Sequence, residues 1–372
     1  MSNPDPKSQP PVAGNAAAGQ SFNVNNFDLI RLFAAGQVAL YHGISHLTTG
    51  NDGGALGTIL GCIPGVPIFF FVSGFLVSKS FEVSGSLRQY ARNRILRLYP
   101  GLTLCVLVSI AIVVALGYLG TVSFRAGEML AWLAAQLTVV QFYNPEFLRG
   151  FGTGVLNGSL WTISVEVQFY VLVPVLYWVM HRLRERSRNA VLLASIGIFA
   201  VCNRVYFSLA PEHSAELLYK LVKVSFVPWF YMFLVGVLVQ RNLPAVLRVV
   251  ENRFASFLAA YILAMGVLVR GFDTPLGNAI APGSYILLVA VVLAAAFSRR
   301  NLAEVVLRRN DISYGLYIWH MPIVNSFLYL GWSGTNGSVL AVLFIAVLTA
   351  AVSWFVVERP ALRLKRRALH AH

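Results

Sequence analysis

The sequence predicts an all-α fold: a polytopic membrane bundle of about ten transmembrane helices with both termini in the cytoplasm. Three observations predict it. Of the 372 residues, 57% are hydrophobic and only 12% charged, and the mean hydropathy of +0.67 is too high for a water-soluble globular chain. Ten apolar segments able to span a bilayer lie near 27–47, 63–81, 99–119, 159–180, 189–209, 223–240, 254–270, 279–297, 311–331 and 338–357. The basic residues fall in alternate connections between them, as the positive-inside rule requires.

Taken in order, residues 1–26 are rich in Pro, Asn, Ala and Gly and lack the apolar core of a signal peptide; they read as a disordered cytoplasmic tail. The transmembrane domain runs over 27–358, and 359–372 reads as a basic cytoplasmic tail. The stretches 88–97, 182–188, 241–253, 299–309 and 359–367 are basic, whereas the alternating connections carry Asp52, Glu128, Glu146, Glu212, Glu216 and Asp273. A further apolar run, 127–143, is read as a re-entrant or interfacial segment. Were it a span, every later connection would change sides and break the charge rule. The net charge of +14 sits in these short clusters, which points to membrane orientation, lipid headgroups and anionic ligands and away from nucleic acid. Cys62, Cys105 and Cys202 have no metal-type spacing and read as small hydrophobes, so neither a zinc site nor a disulfide framework is expected.

Chemistry must then lie inside the bundle or at its mouths. The first span, FDLIRLFAAGQVALYHGISHL, carries Arg31 and His42. Eleven helical steps return nearly to the same face, about 16 Å further along the axis. Ionisable groups in a membrane helix are costly and mark function by default, although an interfacial anchor has the same appearance in one helix taken alone. Asp28, one turn before Arg31, suits pairing or capping. His42 is the natural general base near neutral pH, with His46 nearer the outer interface. In LWTISVEVQFY, Glu166 falls at a depth similar to His42, so an ion pair between the two is expected; pairing with Arg204 for packing alone is the alternative. Gln168 and Tyr170 read as polar contacts between helices. In LRQYARNRILRLYP, Arg94 and Arg97 are helix neighbours with Arg92 beside them. Such a cluster marks a topology determinant, a lipid headgroup site or a phosphate clamp. In DISYGLYIWHMP, Ser313, Tyr317 and His320 lie on a span entering from the cytoplasm, with Pro322 loosening the helix beyond.

Together, these motifs resemble the acyltransferase-3 family of integral membrane O-acyltransferases. The resemblance runs from Phe27 to about Arg363. In order it comprises FDLIRL with arginine, ten intervening residues and histidine; FFFVSGF within 66–76; Arg94-x-x-Arg97 leading into LYP; LWTISVEVQFY; ISYGLYIWHMP; and VERP. It implies a multi-pass protein of the bacterial inner membrane with cytoplasmic acetyl-CoA, or another acyl-CoA, as donor. The acceptor it implies is a hydroxyl of a carbohydrate or lipid-linked glycan. By residue-wise carry-over, Arg31, His42, Arg94 and Arg97 match positions the family needs for activity, and Glu166 matches the first acid of its S-V-E motif. Many members have a second acid where this chain has Val167, which argues against an essential carboxylate pair. No metal is implied. A glycan or lipid exporter without acyl transfer is the competing reading, and acetylation of an acceptor in reconstituted vesicles separates the two.

Overall fold

A computed structural model describes residues 25–48, 54–214 and 216–367. Residues 1–24 and 368–372, expected as parts of two cytoplasmic tails, lie outside the described residues. Each of the ten apolar segments is a helix: α1 Phe27–Leu47, α2 Gly65–Glu82, α3 Leu87–Ala115, α4 Trp161–Arg182, α5 Glu185–Ser208, α6 Phe230–Arg241, α7 Phe254–Gly271, α8 Pro282–Phe297, α9 Ser313–Tyr329 and α10 Asn336–Ser353. No strand occurs among the described residues. The chain is a polytopic membrane helix bundle.

Six helices among the described residues are each long and apolar enough to cross a membrane. A seventh is added if α6 and Leu243–Val250, bent by 92°, form one path. The helices outside this set are instructive. With 16 and 17 residues, α8 and α9 are short, and α1 carries Asp28, Arg31, Gln37, His42 and His46. On α9 every residue from Ser313 to Asn325 is buried, and α9 packs against α1, α3 and α10. The most polar helices thus occupy the centre, where other helices shield them from lipid. The peripheral helix α7 buries only Tyr261 and Met265 and turns Ile262, Leu263 and Val267 outward.

Small residues permit the closest crossing. A Cβ added at Gly74 on α2 would stand 2.0 Å from the Phe233 carbonyl oxygen of α6, and one at Gly236 on α6 would stand 2.3 Å from that of Phe71. Backbone atoms cannot yield as a flexible side chain does, so α2 and α6 touch main chain to main chain. Gly74→Ala is expected to destabilise the protein by at least the ~1–3 kcal/mol of ordinary overpacking, read as a fall in the detergent unfolding midpoint.

At 29 residues, α3 is about 43 Å long against a hydrocarbon core of about 30 Å. Its first turns therefore project beyond the apolar layer, which is where Arg88, Arg92, Arg94 and Arg97 occur. The Ser86 hydroxyl accepts from Gln89 N at 3.2 Å to start it, and Pro100 sits within it.

The 127–143 segment does not cross. Its helix, Ala126–Gln136, has 11 residues, about 16 Å, half a membrane. Gln136 Nε2 donates to the carbonyls of Gln141 and Tyr143, and Gln141 Nε2 donates back to that of Gln136. The rest of this connection is stapled to α9. The fully buried Asn325 accepts from Thr153 N at 2.9 Å and donates to the carbonyls of Val155 and Leu156. Asn157 Nδ2 donates to Ile318 O at 2.8 Å. Asn325→Ala strands three backbone groups and is expected to cost roughly 2–3 kcal/mol, with faster proteolysis between 150 and 157 as the readout.

At the far end, α10 passes through a π-helical turn, Trp354–Glu358, into Arg359–Arg367. The basic residues after 358 therefore begin as a helix.

Candidate active site

Five helices build one cavity. It is lined by Arg31 of α1, Phe69 and Ser73 of α2, Arg94 and Arg97 of α3, Thr162, Glu166 and Tyr170 of α4, and Ser313, Tyr314 and Tyr317 of α9, among others. Seven residues singled out from the sequence, Arg31, Arg94, Arg97, Glu166, Tyr170, Ser313 and Tyr317, meet here although they come from four distant segments. Arg92 does not join them. It is exposed and donates from Nη2 to Leu364 O at 3.3 Å, because it lies on the side of α3 turned toward the C-terminal helix.

The arginines are held differently. Arg31 and Arg97 share one carboxylate: Asp311 Oδ2 lies 3.0 Å from Arg31 Nη2 and 2.5 Å from Arg97 Nη2. The other oxygen of Asp311 accepts from the backbone N and hydroxyl of Ser313. Burial alone would raise the Asp311 carboxyl, but Arg31 and Arg97 beside it hold it well below the usual carboxylate range. Arg31 also meets Asp28 at 2.5 Å, the pairing its spacing suggested. Arg94 has no carboxylate partner among the described residues. Its Nη2 donates to Ser80 Oγ at 3.0 Å, and its guanidinium lies 5.5 Å from the Tyr170 ring centre. The Nε atoms of both Arg31 and Arg94 are buried without a partner. Donors left unmade beside a cavity are costly, and an anionic ligand completes them.

Asp311 is the residue that sequence reasoning passed over. The signal was present: one acid at the end of a basic connection, directly before the polar span.

His42 has a different partner from the one expected. Its Nδ1 lies 2.9 Å from Nε2 of His320, and the rings are stacked with centres 5.2 Å apart. Glu166 instead accepts from Tyr170 OH and from Ser73 Oγ at 3.2 Å. Arg204, the alternative partner for Glu166, donates to Ala279 O at 3.1 Å. The expected His42–Glu166 pair is therefore corrected: equal depth along two helices does not bring their side chains to the same side. The Tyr170 hydroxyl, on the same helix one turn away, satisfies the carboxylate locally.

The hydrogen bonds assign the tautomers. The Nδ1 of His320 faces Leu316 O at 3.3 Å, a pure acceptor, so this nitrogen carries the proton. Its Nε2 is then a lone pair, accepts from His42 Nδ1–H, and leaves His42 Nε2 unprotonated. His320 is fully buried and orients the more accessible imidazole. Tyr317 links this pair to the arginine cavity. Its ring centre lies 5.9 Å from that of His320, and its hydroxyl is 2.7 Å from Thr162 Oγ1. His42 itself lines a second cavity with Gln37, Tyr41, Gly61, Gly65, Asn278 and others. Val66 belongs to the walls of both cavities. His46 is exposed, with its ring centre 6.0 Å from that of His42. No group of three or more His, Cys, Asp or Glu side chains suited to a metal occurs among the described residues.

A family model described as an acyltransferase domain matches residues 24–358. Among curated proteins, the chain is 33% identical to nodulation protein 10 of Rhizobium leguminosarum bv. viciae over 361 residues, covering 92% of this chain and 94% of that one. It is 26% identical to the putative peptidoglycan O-acetyltransferase YrhL of Bacillus subtilis, over 81% of this chain and 48% of the relative. It is 23% identical to the O-acetyltransferase OatA of Staphylococcus aureus, over 90% and 56%. The chain spans about half the length of these last two. No solved structure matches it.

Proposed function

Since the chain belongs to the acyltransferase-3 family and is a membrane O-acyltransferase, we propose that it moves an acetyl group from cytoplasmic acetyl-CoA to a hydroxyl of a cell-surface or lipid-linked carbohydrate. The observation that carries this reading is an arginine-lined cavity that shares a wall residue, Val66, with a second cavity lined by a histidine whose Nε2 is held free of a proton. The relatives' names, a nodulation protein and O-acetyltransferases, support a glycan acceptor and an acetyl donor. The positive-inside pattern supports a cytoplasmic mouth for the arginine cavity and a bacterial inner-membrane location.

In this reading Arg94 and Arg97 hold donor phosphates, since guanidinium groups bind phosphate in two-pronged fashion. Arg31, tied to Arg97 through Asp311, faces the same donor closer to the thioester. The acceptor enters the second cavity, and His42 Nε2 takes the hydroxyl proton as the oxygen attacks the thioester carbonyl. The C–S bond then breaks, and the thiolate leaves with a proton from His42. His320 keeps Nδ1–H of His42 in place and supports the imidazolium that forms. Glu166, held by Tyr170 and Ser73, places a carboxyl group on the cavity wall, and Tyr317 and Ser313 complete the lining.

A covalent acyl-histidine is a second reading, favoured by one observation: His42 lines a different cavity from the arginines. Labelled acyl-CoA given without acceptor, followed by rapid denaturation, labels His42 if the intermediate forms, and single-turnover failure to do so rejects it.

The donor site is tested by Arg94→Ala with Arg97→Ala. Binding of CoA to the detergent-purified protein is expected to weaken by about two to four orders of magnitude, from two lost charge-assisted contacts of roughly 1.5–3 kcal/mol each. Unchanged affinity reassigns the cluster to topology.

A further inference from the structure

We infer that the bundle holds a specific anionic phospholipid in a slot between α1, α7 and α8, separate from the arginine cavity. The slot has a volume of about 740 Å³, and its wall is almost wholly apolar, with Leu29, Phe33, Ile68, Leu258, Leu288 and Val292 among its residues. On α1 it extends from Asn26 to Phe33, about 10 Å along the helix axis, and Ile63 of the opposite connection takes it deeper. That fits an acyl chain in one leaflet of a core about 30 Å thick. A wholly apolar slot would accept any lipid tail.

Its mouth is what selects. Ser298 and Arg299 line the slot, and Arg299 continues into an adjoining pocket with Arg300 and Asn301. Three polar groups of the slot and its adjoining pocket are unsatisfied. The Ser298 hydroxyl and Arg300 Nε are buried without a partner, and the Arg299 guanidinium forms no ion pair among the described residues. The nearby acids are already engaged: Glu251 meets Arg300 Nη2 at 2.6 Å, and Glu304 meets Arg309. One uncompensated cation and one hydroxyl line the slot, and one guanidinium N–H belongs to the adjoining pocket; together they are the recognition chemistry of a lipid phosphate. The mouth opens at the end of the bundle that carries Arg31, because Asn26, which precedes α1, donates to the carbonyls of Ala295 and Ser298 and accepts from Ala303 N.

The test is native mass spectrometry of the full chain in dodecyl maltoside, titrated with palmitoyl-oleoyl phosphatidylglycerol and, separately, with the phosphatidylcholine of the same chains. One phosphatidylglycerol is expected to survive activation, with phosphatidylcholine retained at least fivefold less. Arg299→Gln is expected to lower phosphatidylglycerol retention about fivefold, the effect of one cation at a headgroup, and to erase the preference over phosphatidylcholine. Ala255→Trp, which fills the slot from the α7 side, is expected to reduce retention of both lipids. Equal retention of the two lipids by the native chain overturns the proposal. So does an Arg299→Gln protein that keeps the native preference. Glycerol 3-phosphate serves as the tail-less control: if it displaces the lipid at equal concentration, the mouth is a free-phosphate site and the lipid assignment is wrong.

Discussion

His42→Ala is expected to abolish acceptor acetylation while leaving membrane insertion and the unfolding midpoint close to native. General-base catalysis is commonly worth 10²–10⁴-fold, and loss of the nucleophilic option as well places the residual rate at or below the lower end. The structure adds a second variant that separates catalysis from folding. His320 does not line either cavity, yet it sets the tautomer of His42 through the 2.9 Å contact. His320→Gln keeps an acceptor toward His42 Nδ1–H and is expected to retain partial activity. His320→Phe removes the acceptor, frees His42 to take the other tautomer, and is expected to lower kcat by about 10²-fold with CoA affinity unchanged. An acetylating His42→Ala protein sinks the proposed chemistry. Equal kcat in the two His320 variants removes the tautomer argument while leaving His42 in place.

Asp311→Ala is expected to give the largest stability loss among single substitutions at the site. It leaves Arg97 without a carboxylate partner and Arg31 with Asp28 alone, and breaking a buried ion pair from one side typically costs about 3–5 kcal/mol. The unfolding midpoint in detergent should fall sharply. Asp311→Ala with Arg97→Gln should recover part of the loss, because the charge left without a carboxylate partner is gone. The pH dependence has a definite sign. A carboxyl held low in the folded state contributes stability that is present above the ordinary carboxylate range and is lost as pH falls toward its folded-state value. Asp311→Asn should therefore flatten the acid limb of the stability curve. A native-like midpoint for Asp311→Ala would show that the three-residue cluster carries no stability.

Much of the site was legible along the chain because the membrane makes polar residues conspicuous. Arg31, Arg94, Arg97, Glu166 and Tyr317 stand out from apolar neighbours, and each lines the one cavity. The pairing was not legible. Sequence depth put His42 and Glu166 at the same level, but Glu166 is satisfied within its own helix by Tyr170 and across to Ser73, and His42 turns to α9. Arg92 illustrates the same limit. It is as basic as Arg94 two residues on, but successive helix positions are rotated by about 100°, so Arg92 and Arg94 face opposite ways.

What the sequence determined by itself is the order and number of apolar segments, the alternation of basic and acidic connections between them, and the shortness of the 127–143 helix. These follow from hydrophobic transfer and charge placement, which act residue by residue and need no knowledge of neighbours. Only the tertiary structure decided which polar groups meet: the Arg31–Asp311–Arg97 cluster and the His42–His320 pair, at two cavities that share Val66. Each depends on helix rotation and on crossings set by close packing, such as Gly74 and Gly236 between α2 and α6. Hydrogen bonds and ion pairs act over about 3 Å, so a rotation of one helix by a third of a turn exchanges one set of partners for another without changing the hydropathy of the chain.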